Sequence, residues 1–255
     1  MMSDKSPLSS SHLVLIPSYN TGKLLKDTVA EALQQWSPVW VVIDGSDDGS
    51  EHLLKPLQEH YADALVVIVL AENKGKGAAV LAGITQASEA GYTHVLTMDA
   101  DYQHPASFIK KFMQTSMDRS EAMVLGEPQF DDSAPALRVQ GRRISNAWAN
   151  LETMGWGIHD SLFGMRVYPI ADLMAVMHST RWARRFDFEP EVAVRMAWRC
   201  IPALNIATPV RYISKQEGGV SHFKYVRDNV LLTGMHLRLF LGFLLRFPTL
   251  RLRKR

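Results

Sequence analysis

The segment HVLTMDADYQHP (94–105) runs a short apolar stretch directly into an acidic loop. Three earlier segments are built the same way. LVLI (13–16) passes into Pro17-Ser18-Tyr19-Asn20, and VWVVI (39–43) into Asp44-Gly45-Ser46-Asp47-Asp48-Gly49-Ser50. LVVIVL (65–70) is followed by Asn73-Lys74-Gly75-Lys76-Gly77-Ala78. Helix-patterned stretches lie between and after them, at about 21–36, 50–61, 75–90 and 105–117. Apolar strands alternating with helices imply an α/β fold whose mostly parallel, Rossmann-like sheet is covered on both faces. In such a sheet ligands bind beyond the carboxyl ends of the strands, so these four loops are where chemistry is expected. After about residue 125 the alternation fades and Pro, Gly and Arg become more frequent.

Asp99-Ala100-Asp101 is the sharpest signal. Two carboxylates at i and i+2, at a strand end and split by a small residue, can turn toward one hard cation. Mg²⁺ and Mn²⁺ take oxygen ligands and are commonly shared with substrate phosphates. Lys74-Gly75-Lys76-Gly77 offers glycines and lysines at a helix start, which suits close approach to an anion or simply an ordinary helix N-terminus. It lacks the third glycine of a dinucleotide fingerprint and follows the third strand rather than the first. The chain also has no GxxxxGK[ST] sequence, so Rossmann cofactor and P-loop readings fail.

Length and composition narrow the class further. The chain has 255 residues, 47% of them hydrophobic and 21% charged, enough for a sizeable core. One cysteine, Cys200, excludes an internal disulfide or a CxxC site and fits a reducing compartment. MMSDKSPLSSSH lacks the apolar region of a secretory signal. A net charge of +2 hides −9 over residues 1–135 and +11 over 136–255. The basic half is mostly arginine, suited to phosphate. Without a reader motif or basic–aromatic interleaving, a small-molecule or lipid phosphate is expected rather than nucleic acid.

Taken together, VLIPSYN (14–20), VIDGSDDGS (42–50), NKGKGAAVLAG (73–83), MDADYQHP (98–105) and DSLFGMRVY (160–168) resemble the inverting glycosyltransferase family 2. The similarity is to its dolichyl- and polyprenyl-phosphate sugar synthase branch. FDFEPEVAVR (186–195), PVRY (209–212) and GGVSHF (218–223) resemble the same branch. The pattern SHF…RDN…H over 221–236 resembles members found in bacterial aryl-polyene and related lipid-pigment clusters. The chain departs from the branch at Ile43, where a first acid is usual, and at Gly126-Glu127-Pro128, where many members carry Gly-Ser-Arg.

The resemblance implies a GT-A fold and a UDP- or GDP-sugar held over the first four loops. Pro17 and Tyr19 would line the base pocket beside Asn20, Asp44 would bond the base, and Lys76 would lie near the donor. Asp99 and Asp101 would bring in Mg²⁺ or Mn²⁺ and the ribose-diphosphate, with His222 from a Gly-rich loop completing the metal site. A hydroxyl acceptor would require a general base, for which Asp160, Glu189 and Glu191 are candidates; a lipid phosphate would not. Arg142, Arg143, Arg166 and Lys215 could steer phosphate, unless they are surface charge.

The domain division expected is a glycosyltransferase unit over 1–225, with a nucleotide-sugar half at about 12–125 and an acceptor half at about 126–225. An amphipathic basic tail would occupy 226–255. Within it, VLLTGMHLRLFLGFLLRF (230–247) precedes Arg251, Arg253, Lys254 and Arg255. An apolar helix ending in cations suggests peripheral attachment to an anionic cytoplasmic leaflet, with Arg238 and His236 opposing deep insertion. Packing of that helix on the domain or a second subunit is the alternative. The enzyme reading is thus a metal-dependent transferase acting on a lipid or lipid-linked acceptor at the inner face of the membrane. A catalytically silent nucleotide-sugar-binding scaffold is its rival.

Overall fold

A computed structural model describes residues 8–130, 136–211 and 225–253. The first half follows the alternation read above: β1 (His12–Ser18), α1 (Lys23–Gln35), β2 (Val39–Asp44), α2 (Ser50–Tyr61), β3 (Leu65–Leu70), α3 (Lys76–Glu89), β4 (His94–Thr97) and α4 (Ile109–Asp118). Every residue of β1, β2 and β4 is buried, which is why these strands read as unbroken apolar runs rather than alternating ones. In α1 the buried residues Leu25, Val29, Ala32 and Leu33 recur at helical spacing and face the sheet.

The second half adds β5 (Met123–Gln129), α5 (Ala136–Thr153), β6 (Arg166–Pro169), α6 (Ile170–His178), α7 (Phe188–Trp198), β7 (Ala203–Pro209) and α8 (Tyr225–Arg253). All seven strands form one sheet in the order β3-β2-β1-β4-β6-β5-β7. β6 runs antiparallel to both neighbours, and the remaining pairs are parallel. One core lies under α1, α2 and α4, and a second under α3, α6 and α7. The reversal of β6 brings its entry turn, 160–165, to the edge where β4 ends. That turn therefore faces the acidic loop.

α7 begins at Phe188, so Glu189 and Glu191 lie inside its first turn. Pro190 is tolerated there because first-turn amides have no intrahelical partner.

α8 has its polarity turned inward. Met235, Leu239 and Phe243 pack with Ala149 of α5 and with Val194 and Trp198 of α7. On the same inward side His236 hydrogen-bonds Ser145 (2.9 Å) and Glu152 (3.0 Å), and Arg238 pairs with Glu191 (3.0 Å). Val230, Leu237, Leu241, Leu244 and Leu245 face outward and are exposed, Leu245 by 82%. His236 and Arg238, expected to oppose deep insertion into a bilayer, are both engaged by protein groups. Arg227–Leu252 is also long and apolar enough to cross a membrane by length and composition. Of the tail cations, Arg246 lies over the Trp198 ring and Arg251 is exposed. The side chain of Arg253, and all of Lys254 and Arg255, are outside the described residues.

Candidate functional site

At the end of β4 the Lys76 ammonium bridges two carboxylates, those of Asp99 and Glu189. Burial alone would drive the lysine pKa down, but the two carboxylates outweigh it and hold the ammonium charged. Asp99 is likewise kept ionised: burial opposes it, and Lys76 prevails. His104 accepts the Asp99 amide proton at Nδ1 (3.0 Å), which leaves Nε2–H pointing toward the Asp99 carboxylate at 3.6 Å. Burial lowers the His104 pKa to about 4, so this neutral tautomer is the resting one. Sequence reading passed over His104 as loop context; its only signal was its place five residues after Asp99.

Asp101 differs from Asp99. Its carboxylate accepts the Gln103 amide (3.2 Å) and has no ion pair among the described residues. Burial first, then repulsion from Asp99, raises its pKa to about 7. Two carboxylates thus share one lysine. Among the described residues no group of three or more His, Cys, Asp and Glu side chains is arranged to hold a metal. A cation at this turn would need ligands beyond Asp99 and Asp101. Gly164 lets the β6 entry turn lie against this center, because a Cβ there would sit 2.6 Å from Asp99 Oδ2 and 2.9 Å from Lys76 Nζ.

The flanking loops are fastened to one another. Asn20, in the left-handed region at φ 48°, exchanges hydrogen bonds with Asp47 (2.7 and 3.0 Å), and the Gly22 amide donates to Asp48 (2.9 Å). Pro17 is buried in β1, and Tyr19 is half-buried at its exit. Asp44 is buried and accepts the amides of Lys74 (2.9 Å) and Gly75 (2.8 Å), fixing the β3–α3 loop. The glycines of that loop admit protein rather than an anion. A Cβ on Gly75 would lie 2.4 Å from the Arg184 carbonyl oxygen, and one on Gly77 2.1 Å from that of Ala183. The Ala78 amide donates to the Arg184 carbonyl (3.2 Å), so the start of α3 is packed against 183–185.

Several base and phosphate candidates are engaged elsewhere. Asp160, 3% exposed, accepts the amides of Leu162 (3.0 Å) and Phe163 (2.7 Å) and pairs with Arg142 (2.6 Å). Asn146 donates to its other oxygen (3.1 Å). Glu191 is fully buried between Arg195 (2.8 Å) and Arg238 (3.0 Å). Arg166 is also fully buried, donating to the carbonyls of Phe163, Asp160 and Glu189 and to the Tyr168 hydroxyl. These three hold the β6 entry turn and α7 in place, and the Arg166 guanidinium is taken up by protein acceptors. Of the base candidates only Glu189 joins the central cluster. His222 and Lys215 lie outside the described residues.

Beside Asp99 opens a cavity of about 90 Å³ lined by Gln103, His104, Phe130, Arg142, Leu162, Phe163, Gly164 and Val210. It sets one guanidinium and one carboxylate among four large apolar side chains. Arg142 lies 5.4 Å from the Phe130 ring centroid.

A sequence model described as Glycosyl transferase family 2 matches residues 13–188, more than half of the chain. The chain belongs to glycosyl transferase family 2. The match takes in the four strand-exit loops and the β6 entry turn, and it stops before Glu189. A family 2 relative from Methanococcus voltae, a UDP-N-acetylglucosamine–dolichyl-phosphate N-acetylglucosaminyltransferase, is 26% identical over 68% of this chain and 75% of its own length. An undecaprenyl-phosphate 4-deoxy-4-formamido-L-arabinose transferase from Pseudomonas aeruginosa is 31% identical over 61% of this chain; the match spans 46% of that protein. Glucosyl-3-phosphoglycerate synthase from Mycobacterium tuberculosis, solved with Mn²⁺ and UDP-glucose, superposes with a TM-score of 0.64 at 14% identity, over 92% of this chain and 79% of its own. That likeness establishes the GT-A fold.

Proposed function

We propose that this family 2 member transfers one sugar, with inversion, from a nucleoside-diphosphate sugar to a lipid phosphate of the polyprenyl type. The cavity beside Asp99 carries this reading, because a single guanidinium, Arg142, stands there among Phe130, Leu162, Phe163 and Val210. An anionic head on an apolar body matches that lining. The activities of the dolichyl- and undecaprenyl-phosphate relatives support the same acceptor class.

The donor would lie over the exits of β1, β2 and β4, with Pro17, Tyr19 and Asn20 on the base side. Asp44 would act there through the loop it fixes. Asp99 and Asp101 fit a divalent cation in one respect: their mutual repulsion would be relieved by a positive charge, and Asp101 has no ion pair among the described residues. They would hold Mg²⁺ or Mn²⁺, which would take up charge developing on the leaving diphosphate. Lys76 adds a fixed positive charge at the same edge. The acceptor phosphate oxygen attacks the anomeric carbon as the bond to the nucleoside diphosphate breaks. Such an oxygen is already anionic at neutral pH, so no carboxylate has to remove a proton. The engagement of Asp160 and Glu191 supports that economy.

We place the protein at the inner face of the membrane, with α8 lying on the surface. Its outward leucines supply apolar area, and its terminal cations attract anionic headgroups by about 1 kcal/mol each.

The test is a transfer assay with undecaprenyl phosphate and a panel of UDP- and GDP-sugars, with and without Mn²⁺. Arg142→Ala should raise the KM for the lipid phosphate by roughly 10–100-fold, the loss of about 1.4–2.7 kcal/mol of charge-assisted bonding. Donor binding should be unaffected. Transfer to a hydroxyl lipid but not to the phosphate would overturn the acceptor class. Donor binding without any transfer would favour the scaffold reading.

A further inference from the structure

The first turn of α7 carries three acids, and cations from three helices share them. Glu189 takes Lys76 from α3. Glu191 takes Arg195 from α7 and Arg238 from α8. Asp187 lies 3.8 Å from Arg238 and accepts the amides of Ala183 (3.0 Å) and Arg185 (3.0 Å). Those bonds close the 183–185 loop, which packs on the start of α3 through the bond from Ala78 to Arg184. Arg238 also lies over the Trp182 ring, 4.0 Å from its centroid. One α8 side chain therefore touches the loop before α7, the residue at its N-terminus and its first turn.

The side chains of Asp187 and Glu191 are 4% and 0% exposed. Buried carboxylates of this kind hold their geometry only while their countercharge is present. Glu189 sits between them on the same helical turn and so cannot move independently. We infer that Arg238 is a positioning residue: through Asp187 and Glu191 it fixes the first turn of α7, and thereby the Glu189 carboxylate that holds Lys76 beside Asp99. α8 is then a working part of the site as well as its outer surface. This inference rests on the proposed donor role of Lys76 and Asp99, and its test includes a measurement that does not.

The full chain would be compared with Arg238→Ala and Arg238→Lys by hydrogen exchange and by initial rates, using UDP-N-acetylglucosamine or GDP-mannose, Mn²⁺ and undecaprenyl phosphate. Arg238→Ala should speed exchange over 183–191 and also over 74–79, which Arg238 reaches only through α7 and its preceding loop. It should raise the donor KM about tenfold, a size usual for losing a residue that orients a ligand-binding group. The acceptor KM should hold. Arg238→Lys, which keeps a cation beside Asp187 and Glu191, should recover most of both effects. In a Glu189→Gln background, Arg238→Ala should change the donor KM by less than about twofold, since the route is already cut. If Arg238→Ala does not fold, Arg238→Gln, which keeps much of the stem over Trp182, takes its place. Unchanged exchange over 74–79, or full additivity of the two substitutions, would overturn the inference. A wild-type chain that transfers no sugar would sink the functional reading instead, and the exchange result would still decide this one.

Discussion

Two acidic turns meet at Lys76. At the end of β4, Asp99 pairs with that lysine, while Asp101 has no ion pair among the described residues and holds its proton up to about 7. At the start of α7, Asp187, Glu189 and Glu191 have Lys76, Arg195, Arg238 and two loop amides among them. Burial and company both separate the two sets: the Asp99 side chain is 32% exposed and Asp101 is half-buried, whereas those of Asp187, Glu189 and Glu191 are 4%, 6% and 0% exposed. A buried acid without a countercharge is a site for a missing cation or proton, whereas one already paired is framework. By that criterion we propose the β4 turn as the ligand side, and the α7 turn as what holds it in shape.

The comparison breaks most visibly at Asp101. Asp101→Asn should cut Mn²⁺-dependent transfer by about 10³-fold, from the several kcal/mol a metal contributes to the transition state. The melting temperature should hold or rise, because the substitution removes an uncompensated charge. Metal-dependent donor binding that survives in both Asp99→Asn and Asp101→Asn would end the ligand reading of the β4 turn.

Asp160 should fail in the opposite manner. Asp160→Asn leaves Arg142 without its partner in a buried setting and should cost about 3 kcal/mol of stability in denaturant unfolding. Turnover per folded molecule, with acceptor saturating, should stay within about tenfold of wild type, against the 10²–10⁴-fold expected on losing a general base. A stable variant with collapsed turnover would return Asp160 to the role its sequence position suggested.

A titration sharpens the contrast further. In the folded apoprotein the Asp101 pKa is raised, so its proton-bound form stabilises the fold at low pH. That stability is lost as pH rises from the ordinary carboxylate range through about 7. Mn²⁺ must displace the same proton. Its affinity, followed by calorimetry, should therefore fall about tenfold per pH unit below 7 and level off above it. A flat profile would mean that Asp101 does not bind the cation.

The smallest effect belongs to the outward face of α8. Leu245→Asp, at a position 82% exposed, should move the unfolding midpoint by no more than about 0.5 kcal/mol. It should nevertheless weaken sedimentation with anionic vesicles severalfold, and about 1 M salt, with a screening length near 3 Å, should release much of the wild type. Vesicle binding that ignores both changes would leave the packed, inward face as the whole role of the helix.

The sequence was most readable where structure is local. β1 to β4 and their helices fall close to their expected positions because each buried strand is an apolar run ended by its own loop. β6 escaped because four residues, RVYP, carry too little pattern to announce a strand, still less its antiparallel direction. At the site, Asp99-Ala100-Asp101 was legible because both acids stand in one short loop. The roles of Asp160, Arg166 and Glu191 were not, because what occupies them lies elsewhere: Arg238 meets Glu191 across 47 residues, and Asn146 meets Asp160 across 14. The glycines of the Lys74–Gly77 loop read either as suiting close approach of an anion or as an ordinary helix start. A sequence does not say what approaches, and here it is the backbone of 183–185.

The reversed strand β6 has a consequence for how such a molecule can change over generations. On the proposed function the donor edge comes from the exits of β1, β2 and β4, while the opposite wall comes from the entrance of β6 and the end of β5. The two walls are separate stretches of chain, meeting at Gly164 and Asp99. Substitutions around 126–130 and 160–163 would then remodel what is glycosylated without disturbing what is donated, provided that one glycine is left alone. A lineage built on this plan would be free to diversify its acceptors while inheriting its sugar nucleotide almost unchanged.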